Sequence, residues 1–239
     1  MPTAVITGAG QGLGRADALR LAADGFDIVC LDRNVDAAAE TAGLVGGRSF
    51  AVDVTDRDAV FAVAAQIDEC HALVNNAGVW RFQSILEMTP EDARVVNDVN
   101  VFGIIWCTQA FVPLLRAAGG GSIVNISSGA AWTNSPGLGL YPATKSAVES
   151  LTRTMAMELG PDGIRTSAIG PGLIVSDGTS VNYEGDRGSE RARGVPLRRV
   201  GAPSDIADVV SFLCGNDSRY VNGQVIYVDG GITAGTLAR

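Results

Sequence analysis

Tyr141 and Lys145 stand four residues apart at the head of the run YPATKSAVESLTRTMAMELG. On a helix that spacing puts both side chains on one face. A free tyrosine has a pKa of about 10 and is a poor acid or base at neutral pH. A lysine ammonium nearby favours the phenolate and lowers that pKa, each unit being worth about 1.4 kcal/mol. The pair therefore suits proton transfer near neutrality. Tyr and Lys four apart are also an ordinary surface pair, so the rest of the chain has to decide. Two further polar groups bear on it. Ser128 closes the pair Ser127-Ser128 thirteen residues before Tyr141, and Asn100 lies inside Val99-Asn-Val-Phe-Gly103.

The elements that would hold these groups read as alternating strands and helices. Ala147, Val148, Leu151, Met155 and Leu159 recur at helical spacing behind Tyr141, Pro142 suits a first turn, and Gly160-Pro161 is a stop. Ser128 follows a strand over Gly121 to Ile126. Asn100 falls within a helical segment from about Pro90 to Leu115, where an asparagine is unfavourable and marks a bend or a bound water.

At the start of the chain, a strand over Thr3 to Thr7 runs into Gly8-Ala-Gly-Gln-Gly12-Leu-Gly14, then into a helical pattern through Ala16, Leu19, Leu21 and Ala22. Strand, glycine turn, helix is the setting for a phosphate cradle, although a tight structural turn looks the same. The register is TGxxxGxG rather than GxGxxG. A second strand, Asp27 to Leu31, ends at Asp32, 18 residues past Gly14. A carboxylate near this offset accepts from adenosine ribose hydroxyls and repels a 2′-phosphate, which favours NAD(H) over NADP(H). Arg33 follows and offers a 2′-phosphate a counter-charge. The acid weighs more, because Gln11 leaves no basic residue beside the second loop glycine.

Next come a short helix (Asp36 to Gly43), a third strand (Arg48 to Asp53), a helix (Asp56 to Asp68) and a fourth strand into Asn75-Asn76-Ala77-Gly78. A sixth strand, Ile164 to Ile169, ends in Gly170-Pro171-Gly172. Ser176 to Pro196 is polar, glycine-containing and without clear periodicity, so it reads as a mobile lid, extending over about 176–199. A helix over Ser204 to Leu213 and a strand over Gln224 to Val228 close the chain. The pattern predicts one α/β domain over residues 1–239, a Rossmann-type doubly wound parallel sheet of about seven strands with helices on both faces.

Composition narrows the function classes. The chain has 239 residues and a net charge of −8, which argues against a nucleic-acid or anionic-membrane surface. Cys30, Cys70, Cys107 and Cys214 show no CxxC spacing and read as reduced thiols of a cytoplasmic protein. His71 is the one histidine, so a histidine triad or multi-histidine metal site is excluded, and no metal is expected. No apolar run approaches the ~20 residues that span a bilayer.

Taken in order, TGAGQGLG (7–14), NNAG (75–78), Asn100, the Ser128 to Tyr141 spacing, YPATK (141–145), PG (171–172) and VDGG (228–231) resemble the short-chain dehydrogenase/reductase family in its compact single-domain form. The resemblance covers essentially the whole chain. It implies that Tyr141 is the general acid or base and that Lys145 lowers its pKa and bonds the nicotinamide ribose. Ser128 would polarise the substrate oxygen, and Asn100 would hold a water in the proton relay. It places Gly8, Gln11, Gly12, Leu13 and Gly14 along the pyrophosphate, Asp32 and Arg33 at the ribose, and Asp53 and Val54 at the adenine. Asn76, Ala77 and Gly78 would flank the adenosine side, and Ile174, with Pro171, Gly172 and Ser176 around it, would meet the carboxamide. Ser176 stands where the family usually has threonine, and Cys70-His71-Ala72 replaces the common Gly-x-x-Asp approach to the fourth strand.

The implied activity is hydride transfer between NAD(H) and a secondary alcohol or ketone. One rival is an NADPH-dependent reductase of 3-oxoacyl chains on a carrier protein. The other is a nucleotide-binding protein without turnover, which the intact Ser128, Tyr141 and Lys145 disfavour. Substrate contacts implied by the family fall on Trp80, Arg81, Trp132 and Tyr183, with Arg187, Arg191 and Arg193 in the lid. The aromatics suit an apolar or cyclic alcohol, while the arginines suit either an anionic substrate group or plain solvation. Relatives are commonly tetramers, else dimers, so a homo-oligomer is expected through the helices around Val101 to Leu115 and Val148 to Leu159.

Overall fold

A computed structural model describes residues 1–176, 180–183 and 185–235. Seven parallel strands form one sheet in the order β3-β2-β1-β4-β5-β6-β7. They are β1 (Thr3–Thr7), β2 (Asp27–Asp32), β3 (Arg48–Ala51), β4 (Ala72–Asn75), β5 (Gly121–Ile126), β6 (Ile164–Pro171) and β7 (Val225–Val228). The order reverses between β1 and β4, so the carboxyl ends of those strands open the crevice where such sheets bind ligands.

Side chains alternate across the sheet, and the two faces carry separate cores. Val5, Val29, Leu31, Leu73 and Ile123 point to one face and pack on Val60, Phe111 and Val148. Those three come from α3 (Arg57–Ala64), α5 (Gly103–Ala117) and α7 (Tyr141–Leu159). Ala4, Ile6, Ile28, Cys30, Val74 and Val124 point to the other face, against Ala18, Leu21, Ala38, Ile206 and Val210. The helices there are α1 (Gly12–Ala23), α2 (Val35–Val45) and α9 (Pro203–Cys214). A strand buried on both faces reads as a continuous apolar run, as β1 and β2 do. Full burial of a side chain such as Phe111 contributes about 1.5–3 kcal/mol.

Asp17, on the inner face of α1, is a carboxyl that breaks this pattern: it is wholly buried, and neither oxygen has a hydrogen-bond partner among the described residues. Burial alone holds its pKa well above the usual carboxylate value.

Several boundaries differ from the sequence reading. The third strand stops at Ala51 rather than Asp53, because the Asp53 carboxylate accepts from the Thr55 N–H and hydroxyl and closes a turn. The helix expected to Asp68 is α3, which ends at Ala64, where Gln66 and Ile67 bond back three residues to Val63 and Ala64. Leu19, placed in the apolar pattern of α1, is exposed.

The segment from Pro90 is not one regular helix. It comprises α4 (Pro90–Asn97), a π-helical turn over Asp98–Phe102 and α5. By length and composition Pro90–Ala117 does reach what crossing a membrane requires, contrary to the sequence reading, and half of its most apolar window is buried in the fold. Ile104, Cys107, Phe111 and Leu115, from the stretch expected to form an oligomer interface, lie in the chain's own core, as do Val148 and Leu159.

The expected lid contains ordered elements, a 3-10 turn at Ser180–Tyr183 and α8 (Gly185–Gly194). The part of the expected lid at Asp177, Gly178, Thr179 and Glu184 lies outside the described residues.

Candidate active site

The glycine turn is held from two sides. Thr7 Oγ1 accepts from the N–H groups of Asn76 and Ala77, each at 3.0 Å. Asn76 Nδ2 donates to the carbonyls of Thr7 and Gly8 at 2.9 and 3.0 Å. Asn76 therefore shapes the loop. Gly8 and Gly12 have φ of +64° and +57°, a conformation costly for any residue with a Cβ. At Gly14 a Cβ would stand 2.2 Å from the Gly8 carbonyl oxygen. Helix α1 then begins after Gln11 with no side-chain cap, so its N-terminal dipole faces this bare backbone.

Asp32 sits against the same turn. Its Oδ2 accepts from the Gly10 N–H and its Oδ1 from the Asn34 N–H, both at 2.9 Å. Arg33 beside it is exposed. Ser176 lies across the loop from the other strand group, its Cβ 3.6 Å from where a Cβ on Gly12 would be. Behind Ser176, Ile174 bridges Gly201, Gly172 donates to the Val228 carbonyl, and the Pro171 carbonyl accepts from Gly129. Val54 is buried and packs where α5 begins, its Cγ2 2.8 Å from where a Cβ on Gly103 would be, so it supports the fold more than it lines a surface. A glycine turn at a helix start, with the Asp32 carboxylate held against it, fits a dinucleotide.

The proton-transfer groups come together at the ends of β4 and β5. Lys145 is buried on α7, donates to the Ile126 carbonyl at 2.8 Å, and is pushed down to about 8 by that burial. Its Nζ lies 5.8 Å from the centre of the Tyr141 ring. Burial raises the Tyr141 phenol, and the Ser128 hydroxyl, hydrogen-bonded to it, pulls the other way. Of these two influences burial is the larger, and Ser128 opposes it.

Asn100 occupies the π-turn, wholly buried. Its Oδ1 accepts from the Val79 N–H and its Nδ2 donates to the Val79 carbonyl, both at 2.8 Å, and Nδ2 also reaches Thr144 Oγ1 at 3.2 Å. The extra residue of a π-turn re-aims a side chain. Here it lets a polar amide pair with an extended strand end from inside a helix. Gly78 completes the contact, since a Cβ there would sit 3.4 Å from both Asn100 Oδ1 and Lys145 Nζ.

The expected substrate residues separate. Trp80 stacks on Phe82 at 6.1 Å between centroids, and Phe82 meets the Tyr141 ring edge-on at 5.8 Å. Trp132 lies against Tyr227 at 6.2 Å. Tyr183 is covered by the Arg191 guanidinium at 5.1 Å, so its described partner belongs to α8 rather than to the tyrosine site.

Three residues not singled out from the sequence belong to this neighbourhood. Phe82 carries no local signal, being one more apolar residue in a loop. Glu149 was legible, since 141, 145 and 149 are successive positions on one helix face. Its Oε1 accepts from Ser127 Oγ at 3.0 Å and from Tyr227 Oη at 2.7 Å. Tyr227 reaches it from β7, a contact across 78 residues that no local pattern predicts.

Known proteins agree with this geometry. The profile of a family described as "Enoyl-(Acyl carrier protein) reductase" matches residues 8–233. An uncharacterized oxidoreductase of Methylorubrum extorquens is 40% identical over 96% of each chain. The 3-oxoacyl-[acyl-carrier-protein] reductase FabG of Staphylococcus aureus is 35% identical over 96% of this chain and 97% of its own. A solved structure from Beutenbergia cavernae, provisionally described as an NAD(P)-dependent gluconate 5-dehydrogenase with NADP bound at low occupancy, superposes with a TM-score of 0.91. It is 32% identical and covers 98% of this chain and 97% of its own. Sheet order, glycine turn, Ser128–Tyr141–Lys145 cluster and these matches agree, and the chain belongs to the short-chain dehydrogenase/reductase family of oxidoreductases.

Proposed function

We propose that the protein interconverts a secondary alcohol and a ketone with NAD(H). The observation that carries the reaction is the convergence of Tyr141, the Ser128 hydroxyl that acts on it and the buried Lys145, whose Nζ lies 5.8 Å from the tyrosine ring. When bound, the nicotinamide supplies the hydride chemistry, and the chain's own residues handle the proton and the substrate oxygen. In oxidation the Tyr141 phenolate takes the hydroxyl proton; in reduction the phenol returns it. Ser128 directs its hydroxyl at the same oxygen, and the Lys145 ammonium favours the phenolate when it forms. Asn100 keeps the strand end at Val79 in place and serves the proton's exit.

Preference for NAD(H) rests on Asp32, whose carboxylate is held on the glycine turn by the Gly10 N–H and would repel a 2′-phosphate bound beside it. The rival, an NADPH-dependent ketoreductase acting on 3-oxoacyl chains, is favoured by the name of the Staphylococcus aureus relative and by the exposed Arg33. The four cysteines are free thiols, three of them buried, which supports a cytoplasmic setting.

The test measures kcat/KM for NAD⁺ and NADP⁺ across secondary alcohols, with Tyr141→Phe alongside. Turnover is expected to be higher with NAD⁺ and to fall about 10²–10⁴-fold in the variant. Preference for NADP⁺ would overturn the Asp32 reading, and full activity in Tyr141→Phe would overturn the mechanism.

A further inference from the structure

Beside the catalytic tyrosine the chain exposes a run of apolar side chains. Trp80 is 41% exposed, Phe82 56%, Ile85 65% and Leu86 93%. Exposed apolar side chains beside a reactive group are where a ligand's apolar part would be held. The wall is continuous with the reacting centre, because the Phe82 ring meets the Tyr141 ring edge-on and Trp80 stacks on Phe82 with 23° between planes.

It is also held in place. Gly139, at φ +57°, lies where a Cβ would come within 3.2 and 3.3 Å of the Arg81 and Gln83 carbonyls. The loop entering Tyr141 thus packs directly on the strand of chain bearing Phe82. At the root, Val79 is gripped by Asn100.

The cation within this run, Arg81, is already paired. Arg81 Nε pairs with Asp92 at 3.4 Å and its Nη1 donates to the Trp80 carbonyl at 3.0 Å. Arg191 covers Tyr183. A flat, edge-and-face aromatic wall whose own guanidinium, on Arg81, is already paired suits an uncharged ring and offers a carboxylate little.

We infer that Trp80 and Phe82 form a ring subsite, and that the substrate carries a planar, neutral, apolar ring beside the reacting carbon. The inference rests on the oxidoreductase reading above and names its substrate class. A ring that gains or loses full contact with such a wall changes affinity by about ten- to a hundredfold.

The experiment uses three probes: 1-indanol and its ketone 1-indanone, acyclic butan-2-ol, and gluconate as an anion. Calorimetry follows 1-indanone binding in the presence of NAD⁺, a pair that cannot react, while steady-state kinetics follows oxidation of the three alcohols. Both are run on the wild type, Trp80→Ala, Phe82→Ala and Phe82→Leu, the last keeping apolar bulk without the ring. Expected results are 1-indanone binding that weakens at least tenfold in the alanine variants, and 1-indanol kcat/KM that falls with it. In Phe82→Leu, 1-indanol should lose several-fold relative to butan-2-ol.

Equal losses on all three alcohols, preference for gluconate, or no 1-indanone binding while another alcohol turns over would overturn the ring subsite and leave the reaction standing. Ring-dependent 1-indanone binding without turnover of any alcohol would support the subsite and overturn the reaction.

Discussion

Asp17 gives a prediction whose sign and size follow from its surroundings. The side chain is wholly buried on α1, neither oxygen has a partner among the described residues, and burial is the cause of its raised pKa. The fold therefore disfavours the ionised form, and the folded pKa lies above the unfolded value of about 3.9. Below that value both states are protonated and the group is neutral to stability. As pH rises past it, the unfolded chain releases its proton first. Stability then falls by up to about 1.4 kcal/mol per pH unit until the folded pKa is passed.

Asp17→Asn keeps the shape and cannot ionise, so it removes this slope and leaves the other carboxylates' contributions common to both proteins. For a domain of this size each kcal/mol moves Tm by about 2–4 °C, so the variant's advantage should widen by about 3–6 °C per pH unit across that window. Thermal melts of both proteins from pH 4 to pH 8 at constant ionic strength measure it. Parallel curves, or a wild type that gains on the variant as pH rises, would mean that the carboxylate is paired and would refute the reasoning.

Two further substitutions probe the site's supports. Gly14→Ala drives a methyl group into the Gly8 carbonyl and Asn76, so calorimetric NAD⁺ affinity should drop at least tenfold; an unchanged Kd would show that the turn is softer than it looks. Glu149→Leu removes the acceptor shared by Ser127 and Tyr227, and should cost about 1–3 kcal/mol and lower kcat more than it raises the KM for NAD⁺. Glu149→Gln, which keeps an oxygen there, should recover part of both losses in melts and kinetics.

Much of this molecule is written locally. The apolar runs of β1 and β5 end at Gly8 and at Ser127-Ser128, where turn-forming and polar residues begin, and the sequence places both strands at the observed bounds. Tyr141, Lys145, Ser128 and the glycine turn are marked by spacing, because helices and turns repeat over a few residues. What escaped was set by contacts across long stretches of chain. Tyr227 gains meaning only through Glu149, and Phe82 only through the fold of the loop before Tyr141. The helix α8 was hidden by Gly185, Gly188 and Gly194, which weaken any helical pattern, although its structure places it beneath none of the main core. The burial of Lys145 and Tyr141 escaped for another reason: spacing is visible in a sequence, whereas burial is not.

The grip of Asn100 on Val79 divides labour along a single loop. The groups proposed to handle the proton lie at or behind that grip, in the sheet and on α7, while Trp80 and Phe82 lie beyond it on a stretch that packs back on Tyr141 and Gly139 before α4 begins. The residues from Trp80 to Met88 are thus an exchangeable tip on a fixed mount. Lineages of this architecture can trade one tip for another, altering what is recognised while the reactive machinery is inherited intact, and a designer can do the same by grafting.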